Sequence, residues 1–539
     1  MIAEHRYADR LSARAAWSII ILVGLATLMS MLVIARYRGL WGEGDTSGII
    51  RTNRAVVDAA TLVPPGSDVA YPNGYAYQAV VTFLVGATGL DLADLTRYGA
   101  ALMMVWTIVP AWLLFRELTG TTRGAILATA ILYIQPEYLF PLLRGTHEKF
   151  TRGLMLLALY LLFRSLRSRD DPMRFSALVI AFYLCVYAIF SFNNLLAFSF
   201  VGGLIVTLIV SWLVTRVTGT AFTMIGPSIR RLGYAAIISV MFAYLLTFHA
   251  YRPAIHDVRV IQQVQERIAV VFLGAPQAEA DKTPAEITNP YVAINSGWLS
   301  PGVYLMVSMA NWLLLASSGL IWATVGLLWL FRRRRPHFEN EILLWALYAA
   351  FGLQGAASIV VDLSGSLAAN LQHRMFPSFV MIAAPVTAQW MAGWTFHWRP
   401  VRWLAAGLVG VLIAVLSVLS LFKATNEPLL SNKWVYYLPG EAAALAWADD
   451  ALRGRAVWTS FDERITTGEQ IRRGAEPRAI RLDQFDVDEG TRDFLISDVT
   501  RAQARRFGVP LPTEADSLIT YDNGEAQIYH ARPRSPFQR

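Results

Sequence analysis

The side chains of this chain best placed to do chemistry are ionisable groups at the margins of long apolar runs. Glu43 and Asp45 stand in a glycine-rich turn, Trp41-Gly42-Glu43-Gly44-Asp45. A carboxylate there can serve as general base towards a hydroxyl. Gly44-Asp45-Thr46-Ser47 equally has the residue types of a helix start. Arg144-Gly145-Thr146-His147-Glu148-Lys149 breaks an apolar stretch. Arg144 and Lys149 can neutralise a phosphate, and His147 and Glu148 can orient a sugar, hold a metal or move a proton. The alternative is a solvated hairpin. Gln372-His373-Arg374 opens a later apolar run. An arginine at a helix N-terminus opposes the helix dipole unless an anion lies between them. Arg374 and the first amides of that helix are therefore expected to hold a phosphate, with an arginine reaching towards lipid headgroups as the alternative. His373 and Arg252 are further candidates for binding, the second within a weaker set, His249, Tyr251 and Arg252, that interfacial anchoring also explains. His249, His256 and His373 have no spacing that names a metal.

The elements that must position these residues are membrane spans. Of the 539 residues, 55% are apolar and 16% charged, with a mean hydropathy of +0.41. This excludes a single soluble domain. One cysteine, Cys185, excludes a disulfide scaffold. Apolar runs near 17–35, 98–115, 124–141, 153–163, 175–190, 195–215, 232–249, 303–331, 342–361, 375–395 and 403–422 give eleven candidate spans across about 30 Å of hydrocarbon. The expected fold is an all-α polytopic membrane protein with about eleven transmembrane helices and a small C-terminal α/β soluble domain. The membrane domain covers 1–424, with long external loops 36–97 and 250–302, and the tail covers 425–539.

Sidedness follows from the basic residues. Stretches 1–16, 116–123, 164–174, 216–231, 332–340 and 396–402 carry 18 Lys/Arg, with Arg332–Arg335 the strongest marker. This places them and the N-terminus in the cytoplasm and the tail outside, in a multi-pass protein of the cell membrane. The net charge of +8 belongs wholly to the membrane part, since 425–539 hold 15 Lys/Arg against 18 Asp/Glu. Basic residues between spans report topology, and no nucleic-acid partner is expected. In the first external loop, 75–90 and 46–62 are expected as helices lying along the membrane surface. In the second, 257–273 is amphipathic, either a flap over a cleft or a docked helix. The tail shows a helix over 440–452, strands at 456–460, 494–497 and 518–521, and a hairpin turn at Asp522-Asn523-Gly524. It lacks a catalytic motif and is expected to be an accessory domain.

The arrangement resembles the GT-C superfamily of membrane glycosyltransferases, in particular the protein mannosyltransferase and aminoarabinose transferase type. The likeness rests on an acid soon after the first span and on two surface helices in the first loop. It also rests on a Tyr-Pro-x-Gly-like turn, Tyr71-Pro72-Asn73-Gly74, and on an Arg-Gly-x-x-Glu second loop, Arg144-Gly145-Thr146-His147-Glu148. The resemblance covers 10–424 as architecture. It implies a polyprenyl-phosphate-sugar donor, a glycan, lipid or protein acceptor, and inversion at the anomeric carbon. Asp45 would be the first-loop acid, with Glu43 second to it. Glu148 would be the second-loop acid, and Arg374 would bind donor phosphate. The chain lacks the Trp-Trp-Asp motif of oligosaccharyltransferases and has Glu43-Gly44-Asp45 where Asp-x-Asp would stand. A divalent metal, Mg or Mn, is therefore left open. A lipid or glycolipid transporter or flippase, and a non-catalytic membrane assembly protein, are the competing readings. Glu137, between Pro136 and Pro141, is the group that favours transport.

Overall fold

The computed structural model describes residues 13–38, 44–62, 75–168, 171–218, 222–245, 301–331, 339–363, 371–393, 399–427, 436–452, 458–459, 493–507, 511 and 517–531. Each of the eleven apolar runs lies mainly on helix over its described residues, with interruptions at 134–135 and at Ser308. Among the described residues, eight helices are long and apolar enough to cross a membrane, or nine if one bent pair counts as a span. The eight are Ala13–Tyr37, Leu92–Thr119, Pro172–Phe192, Asn194–Val217, Met309–Leu330, Glu341–Asp362, Leu371–Ala392 and Trp403–Ala424. The protein is a multi-pass membrane protein. Many side chains along these helices are apolar and exposed, Leu404 at 75% among them, as lipid contact requires.

The run at 124–141 departs from the expected single span. It is a pair of helices, Thr122–Tyr133 and Pro136–Leu143, bent by 73° at the break. Pro136 lacks the N–H that would continue the helix and disfavours helical geometry in Gln135 before it. The chain restarts with Pro136 in the first turn of the second helix. The loop that follows the second helix, 144–147, buries Arg144, Thr146 and His147.

Two short helices support that loop from the first external segment. Gly44–Ala59 buries Thr46, Ile49, Ile50, Asn53 and Val56, one face at helical spacing. Ala76–Thr88 is apolar and of 13 residues, too short to span. Its Tyr77 and Val81 pack with Ile49, Ile50, Leu92 and Leu95. Helix Leu92–Thr119 contains a π turn at Leu95–Gly99 and a 3-10 stretch at Met103–Thr107.

In the tail, helix Pro439–Ala451 covers a four-stranded sheet in the order β1 (Trp458–Thr459), β2 (Asp493–Ser497), β4 (Ala526–Ala531) and β3 (Ser517–Asp522). β1 runs parallel to β2 and the other pairs are antiparallel. The β3–β4 hairpin closes at Asp522-Asn523-Gly524 as expected, with Gly524 at φ +85° and its N–H donating to Asp522 Oδ1.

Candidate functional site

Helix Glu148–Arg167 starts directly after the buried loop, and its charged first turn is enclosed by protein. Glu148 in a first turn sits favourably on the helix dipole. Arg152, one turn on, places Nη2 3.3 Å from Glu148 Oε2. The same nitrogen donates to the Arg374 carbonyl at 3.0 Å, and Nη1 reaches Ser378 Oγ at 3.4 Å. Arg152 thus joins the second-loop acid to the start of helix Leu371–Ala392. The positive charges of Arg152, Arg144 and Arg374, in that order, act on the Glu148 carboxylate. One acid and three guanidinium groups share one cluster, with Arg152 and Arg374 lying 222 residues apart in the chain.

The loop is fixed on every side. Lys149 is fully buried, and its Nζ donates to the Ala100 carbonyl at 2.6 Å and to the Arg144 carbonyl. Tyr77 Oη donates to the Gly145 carbonyl at 2.9 Å. Arg144 lies over the Phe140 ring, 4.7 Å from its centroid. Asn193 sets the His147 tautomer. Its Oδ1 accepts from Leu196 N, so its Nδ2 donates to His147 Nε2 at 2.6 Å and the ring proton falls on Nδ1. Gly145 is required by close approach. A Cβ there would lie 2.6 Å from Thr46 Cγ2 and 2.7 Å from Thr96 Cγ2. Thr46 directly follows Asp45, the second residue of helix Gly44–Ala59. The backbone bearing Asp45 is therefore brought to the Arg-Gly loop. Glu43, the Asp45 side chain and Arg252 lie outside the described residues.

Two expectations meet a different geometry. The first amides of helix Leu371–Ala392 are occupied, because Leu371 N and Gln372 N donate to Asp362 Oδ1 and Oδ2 at 2.9 and 2.7 Å. The anion that offsets Arg374 at the helix N-terminus is thus Asp362 of the chain itself, and a phosphate would be left to the guanidinium groups. His373 parts from Arg374. It is exposed, and its charge acts on Glu137 rather than on Glu148. Glu137, the residue that favoured transport, is ion-paired with Lys423 and lies 3.5 Å from Asn311 Nδ2.

Beside the cluster runs a cleft lined by Tyr37, Thr46, Thr96, Arg97, Gly145 and Tyr436, among others. Tyr37 and Tyr436 stack with centroids 3.8 Å apart. Burial, with Tyr37 and Glu427 beside it, holds the Tyr436 phenol well above its ordinary range, so it stays protonated. Sequence reasoning missed Arg152, Arg97 and Tyr436. Only Arg152 carried a signal, its i,i+4 spacing from Glu148. As to a metal, among the described residues no three His, Cys, Asp or Glu side chains gather. Glu148 is already matched by arginines.

No family model matches the chain, and no curated protein matches it. Solved structures do. Archaeal oligosaccharyltransferase AglB from Archaeoglobus fulgidus, in complex with an inhibitory peptide and a dolichol-phosphate, superposes with a TM-score of 0.53 at 11% identity, covering 90% of this chain and 70% of that one. The oligosaccharyltransferase of the same organism tethered with an acceptor peptide gives 0.51 at 12%, covering 89% and 69%. The chain shares the fold of these oligosaccharyltransferase structures. ArnT from Cupriavidus metallidurans bound to undecaprenyl phosphate gives 0.43 at 13%, covering 96% and 98%. At these identities the likeness is one of fold. The chain's own contacts bring the Arg-Gly loop, the helix carrying Asp45 and Tyr436 of the tail to one cleft.

Proposed function

We propose that the protein is an integral-membrane glycosyltransferase that moves a sugar from a polyprenyl-phosphate-linked donor to a glycan, lipid or protein acceptor on the extracytoplasmic face. The observation that carries this reading is the cluster of buried Glu148, Arg152 and Arg144 with half-buried Arg374, packed through Gly145 against the residue after Asp45. AglB, of the same fold, is an oligosaccharyltransferase bound to a dolichol-phosphate, which supports a lipid-linked donor. The bundle offers apolar helix surfaces to the polyprenyl tail, and Arg144 and Arg374 supply cations for its phosphate.

In the proposed reaction the acceptor oxygen or nitrogen attacks the anomeric carbon, and the bond from that carbon to the phosphate oxygen breaks. The acceptor proton passes to the Asp45 carboxylate. Polyprenyl phosphate leaves as an anion, stabilised by Arg374 and Arg144. Attack opposite the leaving group inverts the anomeric centre. Glu148 balances the three arginines, so that they hold one arrangement before the donor arrives. The N-terminus lies in the cytoplasm, with the loop and tail outside.

Membrane vesicles supplied with labelled polyprenyl-phosphate sugars test the assignment. Asp45→Asn and Arg374→Ala should each lower transfer on the order of 100-fold, the usual cost of losing one transition-state group. Wild-type rates in both folded variants would remove these residues from the mechanism. Counterflow of the lipid without transfer would replace the enzyme by a transporter.

A further inference from the structure

Arg97 is a cation at the cleft with no assigned role. It stands in the π turn Leu95–Gly99, and π turns recur at functional sites. The preceding residue, Thr96, is the one whose methyl packs on Gly145. Arg97 itself lines the cleft beside Thr46, Gly145 and Tyr436. Its Nη2 donates to Tyr437 Oη at 3.1 Å, and its Nε is buried without a partner. Among the described residues no carboxylate pairs with it. This sets it apart from Arg36, Arg152, Arg164 and Arg167, each ion-paired with a glutamate. A buried N–H of a charged group without an acceptor is destabilising unless something fills the place.

We propose that Arg97 is an anion-binding residue of this cleft, taking a phosphate-type group on the guanidinium it lends to the cleft lining while Tyr437 of the tail holds Nη2. The proposal rests on the transferase reading and deepens it. A planar guanidinium fixed at one nitrogen presents its remaining edge in a set direction, which suits a tetrahedral oxyanion better than a freely rotating ammonium would. The anion has two sources in a transferase of this kind: the lipid phosphate of the donor, or an anionic group of the acceptor. Because Tyr437 belongs to the tail, the tail sets this contact.

The experiment uses the full chain in phosphatidylcholine nanodiscs, with affinity measured separately for polyprenyl phosphate and for inorganic phosphate. Arg97→Ala should weaken one of the two at least tenfold. Loss for polyprenyl phosphate assigns Arg97 to the donor; loss for inorganic phosphate alone assigns it to the acceptor side. Arg97→Lys should recover part of the loss, because the charge remains without the fork. Tyr437→Phe should weaken the same arm severalfold. Should Arg97→Ala not fold, Arg97→Gln carries the same expectation. Unchanged affinity in both arms for a variant that melts like the wild type overturns the proposal, as does a wild type that binds neither probe. Binding is read without turnover. A chain that transfers no sugar, yet loses anion affinity with Arg97→Ala, would retire the transferase reading and leave this site standing.

Discussion

Gly145 shows how much of the site depends on a missing atom. The methyls of Thr46 and Thr96 occupy the space a Cβ would need, at 2.6 and 2.7 Å. Both neighbours are β-branched, with restricted χ1, so they yield poorly. Gly145→Ala should therefore displace the loop or the helix bearing Asp45, destabilising the protein by about 1–3 kcal/mol, as overpacking does. Transfer should fall at least tenfold, because the reacting groups separate. Pairing Gly145→Ala with Thr46→Ser and Thr96→Ser, which removes both methyls, should recover much of the melting temperature and activity. If Gly145→Ala alone behaves as wild type, the contact does not position the site.

At the scale of elements, helix Glu148–Arg167 carries the clearest consequence. Its charged ends are matched on both sides: Glu148 by Arg152 at one end, and Arg164 and Arg167 by Glu117, at 3.7 and 3.0 Å, at the other. Arg152→Leu would leave Glu148 buried and uncompensated by its nearest cation, at a cost of about 3–5 kcal/mol. Adding Glu148→Gln should return part of that stability in thermal melts while transfer stays low. A double variant as unstable as the single one would mean that the two residues are not energetically paired. The same helix explains what could be read from the sequence. The apolar run at 153–163 marked its middle, but hydropathy ends where Lys149 and Arg152 begin, and these are buried because other chain segments meet them. Arg144, His147 and Glu148 stood out as a polar interruption between apolar runs. The Asp522-Asn523-Gly524 hairpin follows from local backbone chemistry that glycine announces, whereas hydropathy ran 124–141 together as one span and passed over the bend that Pro136 imposes. The π turn presenting Arg97 has no such marker. Nor has the capture of the Leu371 and Gln372 amides by Asp362, which depends on how two helices are joined.

Across the whole molecule, the tail is strapped to the first span close to the cleft. Glu427, 2% exposed in its side chain, accepts from Arg36 Nη2 at 2.6 Å and from the Tyr37 hydroxyl. Tyr37 also bonds Thr425 at 2.8 Å and stacks on Tyr436. Tyr436 lines the cleft, and Tyr437 receives Arg97. The first described residues of the tail thus form part of the wall around the candidate site, a closer involvement than the accessory role its sequence indicates. Arg36 is largely exposed, so its share of the ion pair is screened by water and salt. The buried Glu427 end and the tyrosine stack carry more, about 0.5–1.5 kcal/mol for the stack beyond its buried area. Glu427→Gln removes the charge but keeps an acceptor, and Tyr436→Ala removes the stack. Combined, they should speed release of the tail in limited proteolysis and lower transfer severalfold, with the melting of the spans unchanged, since the core between the helices is untouched. Faster release with full transfer would make the tail a passenger. Unchanged release would show that contacts beyond this strap hold the two parts together.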